Sequence, residues 1–157
     1  IALNTMYRPR IIDCIDGYTK RKHGLEAITY YHPMMEKYLK ETYGVIIYQE
    51  QVMLLSQEIA NFTPEESDLL ARAICHQRLT QSETAWKEKF IRGGMENGYT
   101  EEFLEKIWRD WMRCGNYLFN KSHAVCYTWL AYKMAYLKAH YPEEFMHAYF
   151  TINEKAI

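Results

Sequence analysis

Apolar and polar positions follow a helical period over most of this chain. From Gln49 to Ala60 the apolar residues Val52, Leu55 and Ile59 recur at three- to four-residue spacing with Gln and Glu between them, which predicts an amphipathic helix. Thr63-Pro64-Glu65-Glu66 then combines an N-cap Thr, a Pro at the first helical position and a capping-box Glu. The helix it opens should run to about His76 and bury Leu69, Leu70 and Ala73. Another is expected from Glu83 to Asn97, stopped by Gly98. Thr100-Glu101-Glu102 opens the next, with Phe103, Ile107, Trp108 and Trp111 inward, ending near Gly115. The last helices should span about Ser122 to His140 and Pro142 to Tyr149. Thr42 to Tyr48 breaks the pattern: β-branched and aromatic residues gather around Gly44, which suits a short extended piece. The expected fold is therefore mainly α. It is one compact multi-helix domain over residues 1–157, with a less regular N-terminal segment and room for one short strand pair.

Composition narrows the function classes. A chain of 157 residues can bury one core, so a single domain is the default, and 48% hydrophobic residues exclude disorder. The formal net charge of −1 carries no global basic balance, so any nucleic-acid contact has to rest on local clusters. No secretion signal or membrane span is visible: Arg8 and Arg10 follow the opening residues, and Lys133 interrupts the most apolar stretch. A start without Met suggests a piece cut from a larger protein. Cys14, Cys75, Cys114 and Cys126 lack metal-ligand spacing and are expected as free buried thiols of a cytoplasmic protein. Trp86, Trp108, Trp111 and Trp129 are expected in the core, as is Tyr127, although it lies one turn after His123. Glu65, Glu66, Glu101 and Glu102 are helix-start charges, and His140 and His147 are structural.

Two clusters carry candidate chemistry. In Phe119-Asn120-Lys121-Ser122-His123-Ala124 an amide, an ammonium, a hydroxyl and an imidazole adjoin the start of a long helix. Asn and Ser are favoured N-caps, and the orphan N–H groups of a first helical turn, with the positive end of the dipole, attract anions. Lys121 and His123 would add donors there, which suits a polyphosphate. On these residues alone the alternative is a well-capped helix whose Lys points into water. The second cluster is Lys20-Arg21-Lys22-His23 ahead of Gly24, with Arg8 and Arg10 around Pro9. It suits phosphate contact or, equally, a solvated loop partly offset by Asp13 and Asp16.

Five strings in order sharpen the picture. Tyr7-Arg8-Pro9, Arg21-Lys22-His23-Gly24, the run Thr42 to Met53, Phe119 to Ala124, and Tyr136 to Met146 together closely resemble the fingers region of the bacterial DNA polymerase III alpha subunit, the C-family replicative polymerase. The resemblance covers about Ala2 to Thr151. It implies a fragment of a DNA-directed DNA polymerase, a nucleotidyltransferase that lengthens DNA from deoxynucleoside triphosphates, with the fragment alone inactive. In that family the carboxylates holding Mg²⁺ lie in the palm, outside this segment, so no catalytic residue and no metal ligand is assigned here. By the same resemblance Lys121 and His123 are triphosphate contacts, Asn120 and Ser122 shape their turn, and Arg8 lies on the same rim. Lys20, Arg21, Lys22 and His23 are the candidates for DNA phosphates. The implied partners are primer-template DNA, deoxynucleoside triphosphates, the other polymerase domains and replisome subunits, with the fragment itself monomeric. Lys121 should stand beside His123 at a helix start, facing an open concave surface and not the core.

Departures from the family pattern accompany the likeness. Arg8-Pro9-Arg10-Ile11 replaces an Arg-Pro-Gly-Pro turn. Ala71 stands where the family carries an Arg that is a triphosphate contact, and Arg72 beside it points about 100° away on a helix. Leu118 replaces a Gly and resists positive φ. Either Arg10, Arg72 or Arg78 compensates, or nucleotide handling is weaker. The chain reads as a divergent member, either a main replicase of a distant lineage or an accessory or lesion-tolerant paralogue. The alternative function is a non-catalytic helical DNA-binding or interaction module of a polymerase-like protein.

Overall fold

The helix Gln49–Ala60 (α4) forms the centre of the molecule because its apolar stripe is buried throughout: Val52, Leu55 and Ile59 have no exposed surface. The computed structural model describes residues 1–6, 12–75, 83–115 and 118–154. Three short elements precede α4: α1 (Ala2–Met6), α2 (Ile12–Lys22) and α3 (Glu36–Leu39), the last flanked by 3₁₀ turns at Pro33–Met35 and Lys40–Thr42. After it come α5 (Pro64–Cys75), α6 (Glu83–Glu96), α7 (Glu101–Cys114), α8 (Lys121–His140) and α9 (Pro142–Glu154). The fold is mainly α. The irregular stretch is residues 23–48.

Local chemistry places the starts of α5 and α7 and the stop of α6 where the sequence predicts, whereas α9 runs on to Glu154, past the expected end at Tyr149. The Thr63 and Glu66 side chains exchange backbone bonds as a capping box, Glu66 N–H donating to Thr63 Oγ1 (3.2 Å) and Thr63 N–H to Glu66 Oε2 (3.1 Å). Thr100 accepts from Phe103 N–H at the start of α7. Gly98, at φ 85°, turns the chain out of α6 in the left-handed region. The main core joins α4 to α5 through Leu70, Ala71 and Ile74, and adds Phe90 of α6 and Leu104, Ile107, Trp108 and Trp111 of α7. The Phe90 ring lies 4.7 Å from that of Trp111, within the range for favourable aromatic pairs.

Helix α6 crosses the end of α4 so closely that only a glycine fits. A Cβ at Gly93 would stand 2.4 Å from the Ala60 carbonyl oxygen, and the same crossing is fixed by Asn97 Nδ2 donating to Ile59 O (2.9 Å). Gly93→Ala should therefore lower stability by about 1–3 kcal/mol, since backbone must move to admit the methyl. Chemical denaturation would show this as an earlier midpoint at unchanged slope; an unshifted midpoint would refute the close approach.

Several expectations are corrected. Leu69 is 55% exposed. The buried face of α5 is Ser67, Leu70, Ala71 and Ile74, a three- and four-residue spacing that turns Leu69 to solvent, with Ala73 half-buried. The expected strand pair shrinks to a single parallel bridge between Tyr48 and Phe119, because α4 begins at the next residue. Cys75 and Cys114 are half-buried and Cys126 is exposed, so burial of the thiols is partial; it still pushes the Cys75 thiol up to about 11. The Cys14 side chain lies outside the described residues. Trp129, expected in the core, is 60% exposed, and Tyr127 is exposed too. Both follow from the course of α8, which leaves the body after Ala124 and pairs with α9 as a hairpin.

Candidate functional site

A second, smaller core carries the Phe119–Ala124 run. Met6 of α1, Ile47, Tyr48 and Ala124 are buried together, with Ile15, Tyr18, Val45 and Phe119 packed against them. Backbone pairing ties the run to the start of α4: Phe119 N–H donates to Ile47 O (3.1 Å), and Gln49 N–H to Phe119 O (3.0 Å). The Tyr48 phenol is buried in this core, and burial, aided by the nearby Glu41 charge, pushes its pKa up to about 12.

One buried side chain organises the surrounding backbone. Gln51 Oε1 accepts from Ile47 N–H (2.8 Å) and Tyr48 N–H (3.0 Å), while its Nε2 donates to Tyr38 O (3.3 Å) and Thr42 Oγ1 (2.8 Å). Every polar atom of this amide is engaged, as burial requires. The amide joins the turn that carries Glu41 to the segment that pairs with Phe119. Neither Gln51 nor the two glutamates described below was singled out from the sequence.

Lys121 is the first residue of α8 and Asn120 its N-cap, whose Oδ1 accepts from His123 N–H (3.1 Å) and from the Ser122 hydroxyl. The backbone N–H groups expected to meet an anion are largely taken. Lys121 N–H lies 3.0 Å from both Glu50 carboxylate oxygens, and Ala124 N–H donates to Asn120 O. That leaves the Ser122 N–H and the side chains. The Lys121 ammonium lies outside the core, 2.5 Å from Glu41 Oε1 and 5.6 Å from the centre of the Tyr48 ring, with Lys121 39% and Glu41 52% exposed. His123 is exposed, and its ring lies near those of Phe119 (5.1 Å) and Tyr127 (4.5 Å), tilted to each by 50–59°. A cleft of about 590 Å³ containing Arg21, Tyr31, Asp110 and Arg113 shares Tyr18 and Val45 with this core, but Lys121 does not line it, so it is not the concave surface expected before Lys121.

The basic run is the last turn of α2 and the cap that follows it, where cations complement the helix dipole. Lys20 pairs with Asp16 (2.6 Å). Arg21 donates to Glu26 Oε1 (2.9 Å) and the Tyr43 carbonyl (3.4 Å), so it braces its own surroundings. Lys22 and His23 are exposed. Among the proposed compensating cations, Arg72 holds Asp68 through two nitrogens (2.9 and 3.1 Å). Arg8, Arg10 and Arg78 lie outside the described residues. Ala71 is buried against α4, and Leu118 is buried in the main core. Among the described residues the non-Gly positions with positive φ include Tyr43 and Asn61.

Comparison with known proteins gives consistent matches. Residues 1–98 match the model of the bacterial DNA polymerase III alpha subunit finger domain. The chain is 48% identical over 147 residues to DNA polymerase III subunit alpha of Aquifex aeolicus, covering 92% of this chain and 13% of the relative. It is 47% identical over 148 residues to the subunit of that name from Halalkalibacterium halodurans, with 92% and 13% covered. A third relative, from Chlamydia pneumoniae, is 41% identical over 157 residues, covering 100% of this chain and 13% of its own length. The chain thus spans 13% of the length of these curated relatives.

Proposed function

This chain belongs to the finger-domain family of the bacterial DNA polymerase III alpha subunit, and from that premise we propose that it places the incoming deoxynucleoside triphosphate and touches primer-template DNA in a template-directed DNA polymerase. The observation that carries the proposal is the exposed Lys121 ammonium at the start of α8, with the exposed His123 ring two residues on in the same turn. The ammonium and the ring, two side-chain donors on one helical turn, suit the oxygens of a triphosphate, while the Ser122 hydroxyl is committed to the Asn120 cap. The Lys121 charge offsets charge that must be held in line during phosphoryl transfer. Glu50 and Asn120 occupy the Lys121 and His123 backbone donors, so recognition falls to the Ser122 N–H and the side chains, and the caps fix where they start.

Chemistry at the reacting phosphorus belongs to other parts of the longer chain. Among the described residues no group of three or more His, Cys, Asp or Glu side chains could hold a metal ion. These residues do not fit the Mg²⁺ that the family implies, so we assign it to the palm and derive no step through it. The intact chain is then a nucleotidyltransferase of DNA replication, in the cytoplasm with the replisome, and the 157 residues alone extend nothing. A second reading, a non-catalytic DNA-binding or interaction module, draws on Ala71 and on the Asp68 partner that holds Arg72. Steady-state incorporation by the intact chain carrying Lys121→Ala separates the two, since only the polymerase reading gives a kinetic effect.

DNA contact is assigned to Lys20, Lys22 and His23. The Lys20–Asp16 pair is exposed and exchanges readily for a phosphate, whereas Arg21 is committed to Glu26 and Tyr43. Replacing Lys20 and Lys22 by Ala should flatten the dependence of log K on log salt by about one unit per lost contact. An unchanged slope would leave the run as a partner of the α2 dipole alone.

A further inference from the structure

The Lys121 ammonium already has an anion, and its placement points to a use. Glu41 sits on the 3₁₀ turn Lys40–Thr42, far from Lys121 in sequence, yet its Oε1 lies 2.5 Å from Lys121 Nζ. That turn is held from below by the Gln51 amide on Thr42 Oγ1, and it ends at Tyr43 in the left-handed conformation. Glu41 is thus aimed at Lys121 by buried structure, while the pair itself is open to water at 39% and 52% exposure. An exposed pair of this kind is held weakly and exchanges readily. Glu50, the second carboxylate at this helix start, binds the Lys121 backbone N–H with both oxygens and leaves the ammonium to Glu41.

We infer that Glu41 is an affinity-setting residue of the triphosphate site: it occupies the Lys121 ammonium until phosphate oxygens displace it, and takes the ammonium back when pyrophosphate leaves. The inference rests on the proposed triphosphate role of Lys121. Its physical content is a competition. An internal partner that must be displaced lowers the apparent affinity for every anion at that ammonium by the same factor, whatever the base attached. It also shortens the stay of the pyrophosphate product by the same competition. Glu41 touches no reacting atom in this scheme and changes binding, not the chemical step.

The test uses the intact polymerase with Glu41→Gln, Lys121→Gln and the double variant, measured for all four deoxynucleoside triphosphates and for inhibition by pyrophosphate. Glu41→Gln should lower KM about two- to fivefold for each nucleotide, the range expected from an exposed ion pair, and tighten pyrophosphate inhibition by a similar factor. kcat should not rise. In the Lys121→Gln background the Glu41 substitution should have no effect. If Glu41→Gln raises KM, or leaves it unchanged while Lys121→Gln alone impairs incorporation, the competition is refuted and Lys121 keeps its triphosphate role. If Lys121→Gln alone changes nothing, the triphosphate role itself fails, and the inference with it. Circular dichroism of each variant at the assay temperature excludes unfolding as the cause.

Discussion

Gln51→Leu should lower the unfolding free energy of this domain by about 3–4 kcal/mol, although leucine is close to glutamine in size and the position is 3% exposed. Leucine supplies the volume and removes the amide. The N–H groups of Ile47 and Tyr48 then lose their shared acceptor inside the protein, and the Tyr38 carbonyl loses a donor. Each buried polar group left without a partner costs about 1–3 kcal/mol. The Thr42 hydroxyl suffers least, because it still donates to Leu39 O. The measurement is the urea midpoint of the 157-residue chain at unchanged slope. A loss below 1 kcal/mol would mean that the segment from Tyr38 to Tyr48 is held by apolar packing and not by this amide. Because the same amide positions the Glu41 turn and the partner of Phe119, Gln51→Leu should also disturb the start of α8.

The helices of the body were legible because they obey rules that act locally. The capping box at Thr63, the stop at Gly98 and the stripe Val52, Leu55, Ile59 each announce an element within a few residues of sequence. Leu69 shows the limit of counting apolar residues without their phase: α5 buries Ser67 and Ala71 in preference, since those share the face of Leu70 and Ile74. Trp129 shows another. Hydrophobicity indicates what gains from burial, but whether a surface exists to cover it depends on where the helix goes, and α8 departs from the body after Ala124.

At the candidate site the helix start and the cap at Asn120 were legible, as were Lys121 and His123. Their partners were not. Glu41 and Glu50 reach Lys121 across 80 and 71 positions of sequence, and only the folded chain joins them. Gln51 had a readable signal that went unused: it stands at the third position of α4, where a side-chain amide can turn back to the N-cap N–H, and four residues before the buried Leu55. In the basic run, position decided the outcome. At the end of α2, Lys20 and Arg21 find acidic partners that composition could not assign.

Lys121→Ala in the intact polymerase should reduce kcat/KM by about ten- to a hundredfold, and by the same factor for each of the four nucleotides. The magnitude follows from a charge-assisted contact to phosphate, worth roughly 1.5–3 kcal/mol. Uniformity follows because a triphosphate carries no base identity. Stability should change by less than about 1 kcal/mol, since the Glu41 pair is exposed and the cap at Asn120 survives the substitution. A helix that is merely well capped predicts the opposite, with unchanged kinetics. The direct measurement is single-nucleotide incorporation at limiting deoxynucleoside triphosphate, wild type against Lys121→Ala, for all four template bases. An equal loss of at least tenfold across the four is the result predicted here; full activity, or a loss confined to one base, would contradict it.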